Sequence, residues 1–129
     1  MIVLDTHVWV WWVHGESRLN SSHSRSIEAH EEDEIGICTI SVWEVAKLVE
    51  LCRLMLPVSL DQWFADALAY PGVTLLDLTP SIAIESTQLP GIFHRDPADQ
   101  IIVATSRIHA SDLLTADQRI RDYAHVNTP

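Results

Sequence analysis

Five acidic residues stand where they could do chemistry. Asp5 directly follows the apolar run Ile2-Val3-Leu4, and Glu44 comes a short turn after Ile35-Gly36-Ile37-Cys38. Asp96 and Asp99 open a long helical stretch, and Asp117 follows Asp112-Leu113-Leu114-Thr115. Carboxylates gathered at one point repel one another, so such a cluster calls for a compensating charge. Hard divalent ions such as Mg²⁺ or Mn²⁺ take oxygen ligands, and Mg²⁺ suits a few carboxylates completed by water and a substrate phosphate. A site of that kind can hold a scissile phosphate, stabilise growing negative charge and lower the pKa of an attacking water. Two ions ~4 Å apart would clamp both the attacking and the leaving oxygen. No Ser, Cys or His nucleophile is required.

Each acid taken singly also has a structural reading. Ser41-Val42-Trp43-Glu44 has the spacing of a capping box. Asp96-Pro97-Ala98-Asp99 reads as an N-cap, a proline at the first helical position and an acid on the first turn. Asp117 can cap the last helix. Asp5 resists capping best because it ends an apolar strand, although it can still cap a helix from Thr6. The two roles coexist, since a helix N-terminus favours the ionised carboxylate, the form a metal binds.

The elements that must position these acids alternate. Strands are expected at residues 2–4, 35–38, 73–76 and 112–115, with Val126 in a possible fifth. Helices are expected at residues 6–13, from Ser21 or Ser22 to about Glu32, from Ser41 to about Arg53, from Ser59 or Asp61 to about Tyr70, from Pro80, from Pro97 to about Ala110, and after Asp117. Gly15, Pro57, Pro71-Gly72 and Pro90-Gly91 punctuate them, and Glu31-Glu32-Asp33-Glu34 reads as a solvated turn. In the helix from Ser41, Val42, Val45, Leu48, Val49 and Cys52 share one face. This alternation predicts an α/β fold, a three-layer sandwich with a central parallel sheet of four or five strands. In such sheets ligands bind outside the carboxyl ends of the strands, which is where Asp5 and Asp117 fall.

Bulk properties set limits. A chain of 129 residues, 47% hydrophobic and 20% charged, is expected to fold as one domain, residues 1–129. Its net charge of −10 argues by itself against nucleic-acid binding, unless part of that charge is a metal site whose ions invert the local field. No apolar run reaches the ~18 residues of a membrane helix, and Met1-Ile2-Val3-Leu4-Asp5 lacks a basic leader region. The expectation is a cytoplasmic protein with no membrane partner. Cys38 and Cys52 have apolar neighbours and read as buried thiols.

These residues carry a resemblance. Val3-Leu4-Asp5-Thr6-His7, Ser41-Val42-Trp43-Glu44-Val45-Ala46-Lys47, His94-Arg95-Asp96-Pro97-Ala98-Asp99 before Ile102-Val103-Ala104-Thr105, and Leu114-Thr115-Ala116-Asp117 occur in that order over nearly the whole chain. No one segment is very specific; together they resemble PIN-domain ribonucleases, particularly VapC-like toxins of type II toxin–antitoxin pairs. The resemblance implies a catalytic, metal-binding quartet of Asp5, Glu44, Asp99 and Asp117, with Asp96 auxiliary and Thr6 and Thr115 as supporting hydroxyls. It implies Mg²⁺- or Mn²⁺-dependent endonucleolytic hydrolysis of RNA by an activated water, inhibition by a cognate antitoxin, and a homodimer. The chain departs from similar sequences at Cys52, often Gly, and at Gln100, often Arg, where a phosphate contact would be lost.

Other residues are weaker candidates. Trp9, Trp11, Trp12, Trp43 and Trp63 can stack on bases, or fill the core or a partner groove. His94 and Arg95 can meet phosphate or lie in a solvated loop, and His7 reads as a helix residue with a local hydrogen bond. The seven histidines show no metal-ligand spacing. The alternative function is a non-catalytic acidic α/β module, receiver-like or a degenerate PIN fold used for binding. A receiver wants paired acids near the first strand and a late Lys, and no Lys follows Lys47. A haloacid-type phosphatase wants Asp-x-Asp where this chain has Asp5-Thr6-His7.

Overall fold

The computed structural model describes residues 1–129. In chain order the elements are β1 (Ile2–Leu4), α1 (Thr6–His14), α2 (Ser21–Ala29), β2 (Ile35–Cys38), α3 (Thr39–Glu50), α4 (Leu60–Leu68), β3 (Val73–Leu76), α5 (Pro80–Ser86), α6 (Pro97–Ile108), β4 (Asp112–Leu114) and α7 (Gln118–Arg121). The four strands form one parallel sheet in the order β3-β2-β1-β4. Both faces are covered, as parallel sheets require. Ile2, Leu4, Ile35, Ile37 and Leu114 point to one side, against Val8 and Trp9 of α1, Ile27 of α2, Val45 of α3 and Trp63 of α4. Val3, Cys38, Leu76 and Leu113 point to the other, against Ile102 and Val103 of α6 and Ile120 of α7. The alternation along each strand is the two-residue period of the pleat.

Strand order reverses around β1: the chain runs from β1 to β2 and β3 on one side and returns to β4 on the other. Such a reversal opens a crevice at the carboxyl ends of the two diverging strands. Leu4 and Leu114 are paired there, and Asp5 N–H donates to Leu114 O at 2.9 Å.

Local chemistry explains where the elements differ from the sequence reading. The third helix begins at Thr39, straight out of β2, with Cys38 at its N-cap and no side-chain cap, so Ser41 and Glu44 lie inside the helix and form no capping box. The cap of α2 is Asn20, whose side chain accepts from His23 N at 2.7 Å, rather than Ser21 or Ser22. Val126 adds no fifth strand; its segment contributes a hydrogen bond from Leu113 N to Asn127 O, 2.9 Å. Cys38 is buried, but Cys52 is exposed. Cys52 sits at φ +56°, with its N–H on Val49 O and Arg53 N–H on Leu48 O. That is a Schellman end to α3, in a conformation glycine adopts most easily.

Gly72 carries a sharper constraint. Its φ is +85°, its carbonyl accepts from Ile35 N, and a Cβ placed on it would lie 2.6 Å from the backbone oxygen of Glu31. Gly72→Ala is expected to cost roughly 2–3 kcal/mol through strain and displacement of the β2–β3 entry. Thermal unfolding should show a Tm lower by about 10 °C.

Candidate active site

The crevice predicted by the strand reversal is lined with acids. Asp5, at the end of β1, is 6% exposed. Its Oδ1 accepts from Thr6 N at 2.8 Å and its Oδ2 from Thr115 Oγ1 at 2.7 Å. The Thr115 hydroxyl in turn accepts from Asp117 N at 3.0 Å. One hydroxyl therefore ties the end of β1 to the turn after β4.

Glu44 reaches the same place from α3. Because α3 starts directly from β2, Ser41 and Glu44, one turn apart, face α1. Thr6 Oγ1 lies 2.5 Å from Glu44 Oε1 and 2.8 Å from Ser41 Oγ. A hydroxyl has one proton, so Thr6 gives it to the carboxylate and Ser41 donates to Thr6. Asp99 enters on the first turn of α6. Asp96 is the N-cap of that helix, accepting from Asp99 N at 3.1 Å, and leaves Asp99 pointing inward against His94 Nε2 at 2.6 Å. Asp117 caps α7 and accepts from Arg119 N at 2.9 Å.

All five acids line one cleft of about 370 Å³, together with His7, Trp11, Ala116 and Arg119. Burial raises the Asp5 carboxyl above its usual range despite the hydrogen bond from Thr115, and the Asp99 charge adds to the rise. Burial likewise raises Asp99, against the hydrogen bond from His94. Glu44 is pushed up to about 7, chiefly by burial, with the charges of Asp5, Asp99 and Asp96 adding to it against the Thr6 hydrogen bond. Asp117 goes the other way: the Arg119 guanidinium holds its carboxyl below the ordinary value. Three of the acids are thus poorly compensated by the protein itself.

The donor set fits a hard divalent cation. It is built of carboxylates with one imidazole, and donor atoms of His94, Asp99 and Asp117 lie within 4.8 Å of one another. Both oxygens of Asp5 already accept a hydrogen bond, but a carboxylate offers about four lone-pair positions and keeps others free.

One contributor, Arg119, escapes the sequence reading, and another, His94, has a different partner from the phosphate considered there. Arg119 donates to Asp117 through NH2 at 3.0 Å and stands 3.7 Å from Asp99 Oδ2. Its position two residues after the capping Asp117 is the available signal. His94 proves to be the partner of Asp99, brought back by the Asp96-Pro97 turn. Gln100, where an arginine would have suggested phosphate binding, instead donates to His94 O at 3.1 Å and pins that loop. His7 lies on α1, exposed at the cleft, and its side chain makes no hydrogen bond within the protein. Trp9 and Trp63 are core residues, and Trp12 packs on Tyr70 with ring centroids 4.8 Å apart.

Arg119 competes with any cation at this site through an ion pair that solvent screens, its side chain being 63% exposed. Arg119→Gln is expected to tighten Mn²⁺ binding by about 2- to 5-fold, the modest scale of an exposed ion pair. Calorimetric titration of Mn²⁺ into both proteins measures it.

A PIN domain model matches residues 2–126. The chain is 36% identical over 124 residues to Ribonuclease VapC22 of Mycobacterium tuberculosis, covering 96% of this chain and 92% of the relative. Among solved structures, VapBC2 of Rickettsia felis bound to a promoter DNA fragment superposes with a TM-score of 0.72 at 14% identity, over 100% of this chain and 98% of the other. A toxin–antitoxin complex from Klebsiella pneumoniae gives 0.70 at 21% identity, over 100% and 98%. These likenesses extend the α/β/α architecture over the whole chain.

Proposed function

The chain belongs to the PIN-domain family, and from that premise we propose that residues 1–129 form one metal-dependent endoribonuclease unit, the toxin of a toxin–antitoxin pair. The observation that carries this reading is the convergence of Asp5, Glu44, Asp99 and Asp117 from four separate segments into one cleft, with Asp96 beside them. A non-catalytic binding module gains nothing from burying three poorly compensated carboxylates together.

In this reading Asp5, Glu44, Asp99 and Asp117 hold Mg²⁺ or Mn²⁺, with His94 close enough to Asp99 and Asp117 to take part. When bound, the ion supplies positive charge that polarises the phosphodiester and makes water a stronger nucleophile. The protein's own groups do the positioning. Thr6 and Thr115 orient the Glu44 and Asp5 carboxylates through hydrogen bonds. Glu44, whose carboxyl burial raises to about 7 in the chain alone, must be ionised to hold the ion, so metal binding should tighten as pH rises. The electrostatic objection raised by a net charge of −10 is eased locally, because the ion and Arg119 would offset much of the carboxylate charge where the phosphate must sit.

The curated relative is named a ribonuclease, and the structural neighbours include toxin–antitoxin complexes. RNA as substrate, a cognate antitoxin as inhibitor, and a homodimer follow as parts of the proposal. The antitoxin would meet exposed apolar surface and bring a basic side chain to the acids, where a guanidinium can pair bidentately. No helix is long and apolar enough to cross a membrane, in keeping with a cytoplasmic setting. The direct test is cleavage of total RNA in Mg²⁺, Mn²⁺ or EDTA. Cleavage that persists in EDTA overturns the metal-dependent reading.

A further inference from the structure

Resting on the ribonuclease reading, we propose that Trp11, flanked by His7 and Arg18, is a stacking subsite for an unpaired nucleobase beside the scissile phosphodiester. Among the tryptophans, Trp11 lines the cleft that holds all five acids, whereas exposed Trp43 borders Glu44 and Asp96 from an adjoining pocket. It is half-buried, whereas Trp9 and Trp63 are enclosed in the core. His7 and Trp11 stand one helical turn apart on α1, their ring centroids 6.2 Å apart. Since α1 begins immediately after Asp5, they rise from the acids along one wall of the cleft, ~6 Å apart along the axis. The Arg18 guanidinium lies 5.3 Å from the centroid of the Trp11 ring.

The cleft's composition selects the occupant. Only Trp11 and Ala116 among its nine lining residues are hydrophobic. A peptide segment docking by apolar side chains would find little to bury there. A nucleobase needs one flat π face, and base–aromatic stacking supplies it whatever the base. Guanidinium planes serve as stacking surfaces too, so Arg18 can extend the platform while its charge draws in the phosphate chain. Arg18 is 65% exposed and donates to Glu16 through Nε at 3.1 Å, so part of its charge is paired within the chain. Single-stranded RNA is the form that fits, because a base stacked within a duplex has no free face.

The test uses full-length protein carrying Asp5→Asn to prevent cleavage, in Mn²⁺, with a fluorescein-labelled eight-nucleotide single-stranded RNA read by anisotropy. Adding Trp11→Ala is expected to weaken binding about 10-fold, and Trp11→Phe less than about 3-fold, on the scale of one lost stack. A parallel series places one abasic nucleotide at each position in turn. At one position the abasic RNA should bind alike to the protein that keeps Trp11 and to the Trp11→Ala variant, because the partner of the ring is already missing. Thermal unfolding of each variant separates misfolding from lost contact, and Trp11→Phe keeps the packing if Trp11→Ala does not fold. An equal loss on every oligonucleotide overturns the subsite. So does unchanged RNA affinity coupled to weaker capture of the protein encoded by the adjacent reading frame, which would make Trp11 a protein contact. If the wild-type chain cuts RNA and Trp11→Ala cuts it equally well, the subsite alone falls. If wild type cuts no RNA, the nuclease reading falls and takes the subsite with it.

Discussion

Asp5→Asn is expected to lower RNA cleavage by ~10²-fold or more while raising the Tm of the metal-free protein. The rate loss follows from removing one ligand charge at a site that works by electrostatic stabilisation. The gain in stability follows from the folded protein alone. Asp5 is nearly enclosed, its ionised form is disfavoured by burial and by Asp99, and an amide removes that charge. Most of the hydrogen bonding survives the change. Asn Oδ1 can keep the bond from Thr6 N, and its Nδ2 can donate to the second lone pair of Thr115 Oγ1, which turns its own proton away from residue 5, so the gain is the removed charge less the cost of that lost acceptor. A purely structural Asp5 predicts the opposite coupling, with stability and activity falling together. Cleavage in Mn²⁺ set beside thermal unfolding in EDTA distinguishes them. Near wild-type cleavage by the variant would remove the acid cluster from the mechanism.

The sequence makes some parts of this site legible and hides others for identifiable reasons. Asp5 and Asp117 can be placed because they end apolar runs, and the strand–helix alternation puts such ends on one edge of a parallel sheet. Asp99 can be placed because Asp96-Pro97 announces a helix start three residues earlier. Glu44 is legible as a site residue, but spacing assigns it the wrong local partner. Ser41 looks like its cap, whereas β2 passes into α3 without a loop and Ser41 serves Thr6 instead. That continuity is invisible to spacing arguments, which need a break to mark a helix start. The carboxylate partners of His94 and Arg119 are hidden for a different reason. Both residues are surface types beside a turn, and only the folded geometry aims each at a particular carboxylate. A cysteine by itself does not announce a left-handed conformation, so the position of Cys52 at φ +56° is signalled only by the glycine that similar sequences often carry there.

In EDTA, the stability contributed by the acid cluster should fall as pH rises from about 4.5 to above 7, and saturating Mn²⁺ should suppress that fall. Glu44 has an ordinary value of 4.5 and is pushed up to about 7 in the folded chain. The folded state therefore holds its proton more tightly than the unfolded state. A raised carboxyl contributes stability that is complete below the unfolded value and is lost as pH climbs through the folded one. Asp5 and Asp99, also raised, act in the same direction. For Glu44, partly open to solvent, the effect is about 1–2 kcal/mol, or roughly 5 °C in Tm. Buried His23 opposes it. Burial lowers the pKa of that imidazole, so its contribution is lost as pH falls below the ordinary histidine value of 6.5. The two can be separated by substitution. Glu44→Gln removes its share of the loss on the alkaline side, leaving the shares of Asp5 and Asp99 and the acid-side loss from His23, so the profile above pH 6 becomes flatter. Divalent metal flattens the same limb by a different route, because it binds the ionised carboxylates and so favours the folded state increasingly as pH rises. A metal-free Tm that stays level or climbs between pH 5 and 8 in wild type, and is unmoved by Glu44→Gln, would show that the carboxylates are compensated without an ion. The reason for placing one among them would then be gone.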